Sequence, residues 1–374
     1  MRPRLRHLHK SVREPISATR GLRVALMSSP SPMVVGLVAA LTVLAMPGAS
    51  LGQAVNLGGS ANTIRPDGLT QTQVSNSGST TAITTGTVSG GTGFNSFSDF
   101  EVGAGQRVDL YVPDGAGNLL NIVRNSAVVV DGVLNAYKDG AIGGNVFFSD
   151  PHGFVVGQGG SINVGTLTVN TPTSDFLETV IGADGRINDA AAAQLMLGDV
   201  PLSSNAFITI SGMVNAKGGI TLQGHSVFLG ENGVLRGGLD IGQRETLDAT
   251  VNTVGLVEGG AMVSQGGRIL IVAAENATLA GAINVGADAA GKGGSVAIHA
   301  GGNSYIADTA TISADGAGPA GAGGAVLVEA SELILAEDGA RLSARGTGTG
   351  KGGTVQLRGS QAAIGAMQLA LGSE

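Results

Sequence analysis

The 374-residue chain has no cysteine and no tryptophan. The missing cysteine excludes disulfide scaffolds, thiolate zinc sites and cysteine nucleophiles together. Aromatic residues are only 3% of the chain, too few for a core built around Phe, Trp and Tyr. Charged residues are 13% and hydrophobic residues 43%, which excludes a charge-rich disordered chain. Proline is scarce, at 11 residues, and the 63 glycines follow no Gly-X-Y period, so collagen is excluded as well. Length alone allows one long domain or two or three ordinary ones.

Charge is unevenly placed. Residues 1–52 hold Arg2, Arg4, Arg6, Lys10, Arg13, Arg20 and Arg23 against Glu14 alone. Of 21 basic and 28 acidic residues, 14 and 27 remain beyond position 52, a formal charge of about −13. Phosphate backbones repel such a surface, so nucleic acid is not expected as a partner. The apolar run from Met33 to Met46 follows the basic stretch, and Pro47, Gly48, Ala49 and Ser50 end it. The run falls short of the roughly 20 residues a bilayer span needs. Basic segment, apolar segment and small residues together read as a secretory signal peptide over 1–52, cleaved after Gly52 or Ala54. An N-terminal membrane anchor is the other reading of this stretch.

What the chain does have is a repeat. Gly266-Gly-Arg-Ile-Leu-Ile271, Gly293-Gly-Ser-Val-Ala-Ile298, Gly323-Gly-Ala-Val-Leu-Val328 and Gly352-Gly-Thr-Val-Gln-Leu357 begin 27, 30 and 29 residues apart. Looser copies start at Gly143 and Gly218. Between them runs a second phrase: Val133-Leu-Asn-Ala136, Ser161-Ile-Asn-Val164, Met213-Val-Asn-Ala216, Ala282-Ile-Asn-Val285, Thr311-Ile-Ser-Ala314 and Arg341-Leu-Ser-Ala344. Glu332-Leu-Ile-Leu335 and Val227-Phe-Leu229 represent a third kind of strand. A near-constant period of this size is the signature of a solenoid. A strand of three or four residues cannot bury its apolar face alone. Stacked coils solve this, with Val296, Ile298, Val326, Val328, Val355 and Leu357 forming aliphatic ladders. Glycines would allow positive φ at the corners. The reading is an all-β fold, a right-handed parallel β-helix (β-solenoid), its hand taken from the fold class. A β-sandwich or propeller is the alternative, but both show larger aromatics and regular hairpins. One stretch breaks the pattern. Asn188 can cap a helix over residues 190–197 with Gly198 as its stop, and Pro172 and Pro201 bracket it. Residues 172–202 are therefore expected to form a helical or loop excursion.

Reactive constellations are sparse. His152, His225 and His299 are the only histidines beyond position 52 and fall in separate repeats. None sits at metal-ligand spacing, so neither metal nor cofactor is expected. Gly286-Ala-Asp-Ala-Ala-Gly-Lys-Gly293 imitates a phosphate loop but has Gly where Ser or Thr is required, and Thr349-Gly-Lys-Gly352 shares the defect. Asp288, Asp315, Glu329, Glu332, Glu337 and Asp338 fall mostly at turns. No paired-acid signature stands out for glycoside cleavage. A secreted β-helix polysaccharide lyase or hydrolase stays the alternative to a non-enzymatic exoprotein.

Residues 94–170 carry an ordered set of phrases: Phe94-Asn-Ser-Phe-Ser-Asp-Phe-Glu-Val102, Asn118-Leu-Leu-Asn-Ile-Val123, Asp150-Pro-His-Gly153 with its apolar tail, and Ser161-Ile-Asn-Val-Gly165. In this order they resemble the N-terminal secretion domain of two-partner-secretion exoproteins, the filamentous-haemagglutinin family, over roughly residues 55–235. The phrase across 145–165 has a leukotoxin-like filamentous-adhesin flavour. Two departures stand out. The family's Asn-Pro-Asn-Gly turn is Asp150-Pro151-His152-Gly153, and Ile122 stands where many members have Arg. The resemblance implies Sec export of an adhesin-type chain. Its N-terminal domain is then recognised, still extended, by the periplasmic domains of a dedicated outer-membrane transporter, and the chain folds at the cell surface. It singles out Asn95, Ser96, Phe97, Phe100, Asn118, Asn121, Asp150, Pro151, His152 and Gly153 as the recognition motif. It also implies a host-cell or matrix receptor. The domain reading is a signal over 1–52, a secretion domain over 53–235 and a repeat solenoid over 236–374. Repeats that run almost to Glu374 without a capping element leave an open edge suited to self-association.

Overall fold

The computed structural model describes residues 59–238 and 267–372. The expected signal peptide lies outside the described residues. The chain is a parallel β-helix. Each coil contributes two strand stretches to a 17-stranded sheet and one to a 12-stranded sheet, counted among the described residues.

The periodic phrases become the rungs. Strands Gly219–Gly224, Arg268–Ala273, Ser295–Ala300, Ala325–Ala336 and Thr354–Ile364 stack in parallel. Ile220, Ile269, Val296, Val326 and Val355 form one aliphatic column, and Leu222, Ile271, Ile298, Val328 and Leu357 form the next. The second sheet carries Leu134, Ile162, Val214, Leu235, Ile283, Ile312, Leu342 and Leu369 in register. Alternation along each strand explains the placement. In Ser295–Ala300 the residues Val296, Ile298 and Ala300 are buried, while Ala297 and His299 face away. Each fully buried Val, Leu or Ile contributes about 1.5–3 kcal/mol.

Glycines take positive φ at corners, as expected, at Gly291, Gly318, Gly339 and Gly348. Those heading the strands from Gly219 onward are not at positive φ. Instead, a Cβ on Gly294, Gly324 or Gly353 would overlap the carbonyl oxygen of Gly267, Gly294 or Gly324, one coil back. Their role is close backbone stacking. The aromatic economy is also regional. All nine phenylalanines lie between positions 94 and 228. Phe97, Phe100, Phe148 and Phe154 form a run of ring contacts with centroids 5.2–5.5 Å apart inside the first coils.

The N-terminal end of the solenoid is covered. Thr72–Ser77 and Thr80–Thr85 make an antiparallel hairpin whose second strand pairs with Arg107–Tyr111. Thr63–Pro66 runs antiparallel to Thr92–Val102. The excursion is helical. It holds α1 (Ser174–Val180) and α2 (Asp189–Leu197). Asn188 accepts a hydrogen bond from the Ala191 N–H at 3.2 Å, and Gly198 closes α2 at φ 76°. The first helix was not anticipated. Thr173 makes no side-chain cap there and the segment has only seven residues, so it carries little local signal.

Candidate recognition site

Thr92–Val102 alternates its faces and turns a corner between Phe97 and Glu101. Gly93, Asn95 and Phe97 point to the core, in register with Leu119, Asn121 and Val123 of Asn118–Val123. Asn95 and Asn121 therefore occupy a column that continues as Phe148, Val169 and Leu222. Two amides in an apolar column need partners. They find them: Thr72 Oγ1 donates to Asn95 Oδ1 (2.9 Å), Asn95 Nδ2 to Asn121 Oδ1 (3.0 Å), and Asn121 Nδ2 to the Phe147 carbonyl (3.1 Å). The column runs from the N-terminal cap into the first coils.

Asn118 belongs to a different row at the strand starts. Its Nδ2 donates to Thr92 Oγ1 (3.3 Å), Asn145 Nδ2 donates to Asn118 Oδ1 (2.9 Å), and Thr166 Oγ1 to Asn145 Oδ1 (3.0 Å). A third ladder, missed in the motif reading, crosses the second sheet. Asn135 donates to Asp109 (3.2 Å), Asn163 to Asn135 (3.0 Å) and Asn215 to Asn163 (3.0 Å), all of them buried. Its signal was visible as the Asn shared by the second-phrase repeats at 133–136, 161–164 and 213–216.

The turn at 150–153 is held across two coils. Asp150 Oδ1 accepts from the His152 N–H (2.7 Å) and Oδ2 from the Val128 N–H of the preceding coil (2.8 Å). The Asx-type turn expected from Asp-Pro is present. Burial pushes the Asp150 carboxyl well above the usual carboxylate range, and the backbone N–H groups of His152, Val128 and Gly153 oppose that without cancelling it. His152 is exposed, and its ring Nε2 lies 2.8 Å from the Arg124 carbonyl, which accepts. Gly153 sits at φ 123°, and a Cβ there would meet the Phe207 carbonyl at 2.7 Å.

The outer face of the same strands is apolar as well. Phe94, Leu120 and Ile122 pack beneath Leu177, Val180, Ile181, Ala191, Ala192 and Leu195 of the excursion. This accounts for Ile122 in place of Arg. The position faces the helices. Arg124, two residues on and on the same side, reaches Asp67 Oδ2 (3.2 Å) and the Ile181 carbonyl (3.3 Å). Ser96 donates to the same Asp67 oxygen (2.6 Å). Asp67 and Arg124 were not among the sequence-derived candidates, because nothing local marks them.

The fold brings the ten motif residues into adjoining coils and buries most of them. Asn95, Ser96, Phe97, Phe100 and Asn121 are 0% exposed and Asp150 is 1% exposed. Pro151 and Gly153 are buried, Asn118 is half-buried and only His152 is exposed. Elsewhere, the candidate acids are turn and rung partners. Asp288 accepts from the Ala290 and Lys292 N–H groups, and Asp315 pairs with Arg345. Glu329 bridges His299 (2.9 Å) and Arg358 (2.8 Å) across three coils. Among the described residues no group of three or more His, Asp or Glu is placed to hold a metal ion.

The family model described as "TPS secretion domain" matches residues 62–371. Among solved structures the chain is similar to the HMW1 secretion domain from Haemophilus influenzae, at 14% identity, with 83% of each chain covered and a TM-score of 0.47. It is also similar to a filamentous hemagglutinin secretion domain, at 17% identity and a TM-score of 0.37, covering 83% of this chain and 99% of that one. No curated protein matches it.

Proposed function

Because the chain belongs to the TPS secretion-domain family, the export element of two-partner-secretion exoproteins, we propose that its motif strands are read by the outer-membrane transporter before they fold. One observation carries this reading: the motif side chains are interior in the finished β-helix. A transporter that met the folded domain would find almost none of them. An extended chain offers all of them at once, together with unpaired backbone N–H and C=O groups. Such a chain can join the edge of a sheet in the periplasmic domains, with backbone bonds giving affinity and side-chain pockets giving specificity.

Export, with secretion or surface association, follows from family membership. The route is Sec transport, periplasmic recognition and folding outside the cell. In this reading residues 53–235 are the recognition domain, and 236–374 are a repeat array that presents an adhesin-type surface to a host-cell or matrix receptor. Coil-by-coil stacking lets folding advance from one end without closing long loops. Absence of cysteine keeps the periplasmic chain free of oxidative cross-links.

The test is the double variant Asn95→Leu/Asn121→Leu. It replaces an interior amide pair by the aliphatic side chains that fill the rest of the column. Secretion into the medium should drop severely while the purified protein keeps its β-sheet spectrum. Undiminished secretion would mean that these amides serve the fold alone.

A further inference from the structure

Among the first coils the outer face of the large sheet is unusual. Phe94, Leu120 and Phe147 are in register on that face, and Ile122 stands beside them. In the following coils the same row reads Thr168 and Thr221, and the row of Ile122 reads Ser149, Asn170 and Gln223. An unbroken strip of large apolar side chains thus crosses the three successive motif strands, and two threonines separate it from Leu270, where the row turns apolar again. The strip is covered by α1 and α2, which belong to a segment that leaves the solenoid after Thr166–Asn170 and folds back. The cover is pinned at its rim. Asn170 Nδ2 donates to the Leu195 carbonyl (2.7 Å), Gln223 Nε2 to the Gly198 carbonyl (2.8 Å) and Arg124 Nη2 to the Ile181 carbonyl (3.3 Å).

Helices of seven and nine residues are too short to persist alone in water. They form when they dock. Until then the strip stays open even if the coils beneath it have stacked. We propose that the α1–α2 excursion is a release latch: the uncovered strip of Phe94, Leu120, Ile122 and Phe147 is a second contact for the transporter's periplasmic domains, and docking of the helices takes it away. This rests on the recognition reading above and adds its end point. The inward row of the motif is withdrawn by coiling, and the outward row is withdrawn by the latch. An apolar strip matches a partner that binds unfolded, apolar-rich chain, and all of its residues precede all of the cover in the sequence.

The excursion can be removed cleanly. Its two ends meet, with Pro172 bridged to Leu202 and the Thr173 N–H donating to the Pro201 carbonyl (2.9 Å). Replacing residues 174–200 by Asn-Gly, a two-residue hairpin turn, leaves the path of the coils intact. The full chain so shortened, once folded, is titrated with the purified periplasmic domains of the cell's own two-partner transporter. It should bind at least about tenfold more tightly than the folded native chain, a difference readily resolved by titration. Leu177→Asp/Leu195→Asp, which keeps the full length and only spoils docking, should give the same gain and serves if the shortened chain does not fold. If both variants fold and bind no better than the folded native chain, the latch is overturned. Urea-unfolded native chain, diluted into the same domains, is the parallel arm. Failure to bind there would overturn the recognition reading itself, whatever the variants do.

Discussion

At the scale of single residues, the asparagines are the informative group. Inside an apolar column Asn95 Nδ2 donates to Asn121 Oδ1, so each amide is the other's partner for one hydrogen bond. Removing one partner strands the other, whereas replacing both removes the demand. Asn121→Ala should therefore lower unfolding free energy by about 1–3 kcal/mol. Asn95→Leu/Asn121→Leu should cost less than either single leucine change, and urea unfolding of the three proteins tests the order. Asp150 gives a pH signature. Its carboxyl is raised by burial, so the folded state holds a proton that the unfolded chain releases. The associated stability is complete below the unfolded pKa of about 4 and is lost as pH rises through the higher folded value. Asp150→Asn carries no such proton. Its urea midpoint relative to the native chain should rise between pH 4 and pH 7, and a parallel pair of profiles would contradict this. A neutral residue here is also what the family pattern Asn-Pro-Asn-Gly supplies. These roles were only half legible. The residue types and spacing of 94–102 and 118–123 pointed to a motif. The sequence could not say that Asn95 and Asn121 face inward while Ser96 and Ile122 face outward, because that depends on which face the stacked coils bury.

At the scale of elements, the glycine-led strands were legible because a solenoid repeats one local solution. Val296, Val326 and Val355 announce their own register through a spacing near 30 residues. The physical duty of the glycines was not legible from one coil, since it arises between coils. Gly324→Ala would press a methyl group onto the Gly294 carbonyl. It should destabilise by about 1–3 kcal/mol, as overpacking does. Gly117, with open space around its Cβ position, is the control, and Gly117→Ala should stay within about 0.5 kcal/mol. Thermal unfolding of the two variants separates the effects. The helix α2 was readable from Asn188 and Gly198, its cap and stop. Its docking place was not, because Leu195 joins one cluster with Phe94 and Leu120, residues far back along the chain, and no local pattern records that encounter.

At the scale of the whole molecule, one ladder of coils explains the composition, the period and the export chemistry together. Low charge and few aromatics suit a narrow aliphatic interior from residue 269 onward, and the phenylalanines gather where the first coils carry the motif. If the motif residues are what the transporter reads, as proposed above, the domain has two exclusive states, one legible to the transporter and one not, and folding is the event that ends recognition. The most direct measurement compares the affinity of the transporter's purified periplasmic domains for the full native chain held unfolded in dilute urea and for the same chain after refolding, at one urea concentration where both persist long enough to titrate. The unfolded chain should bind and the refolded chain should not. Equal binding by the two would contradict the account.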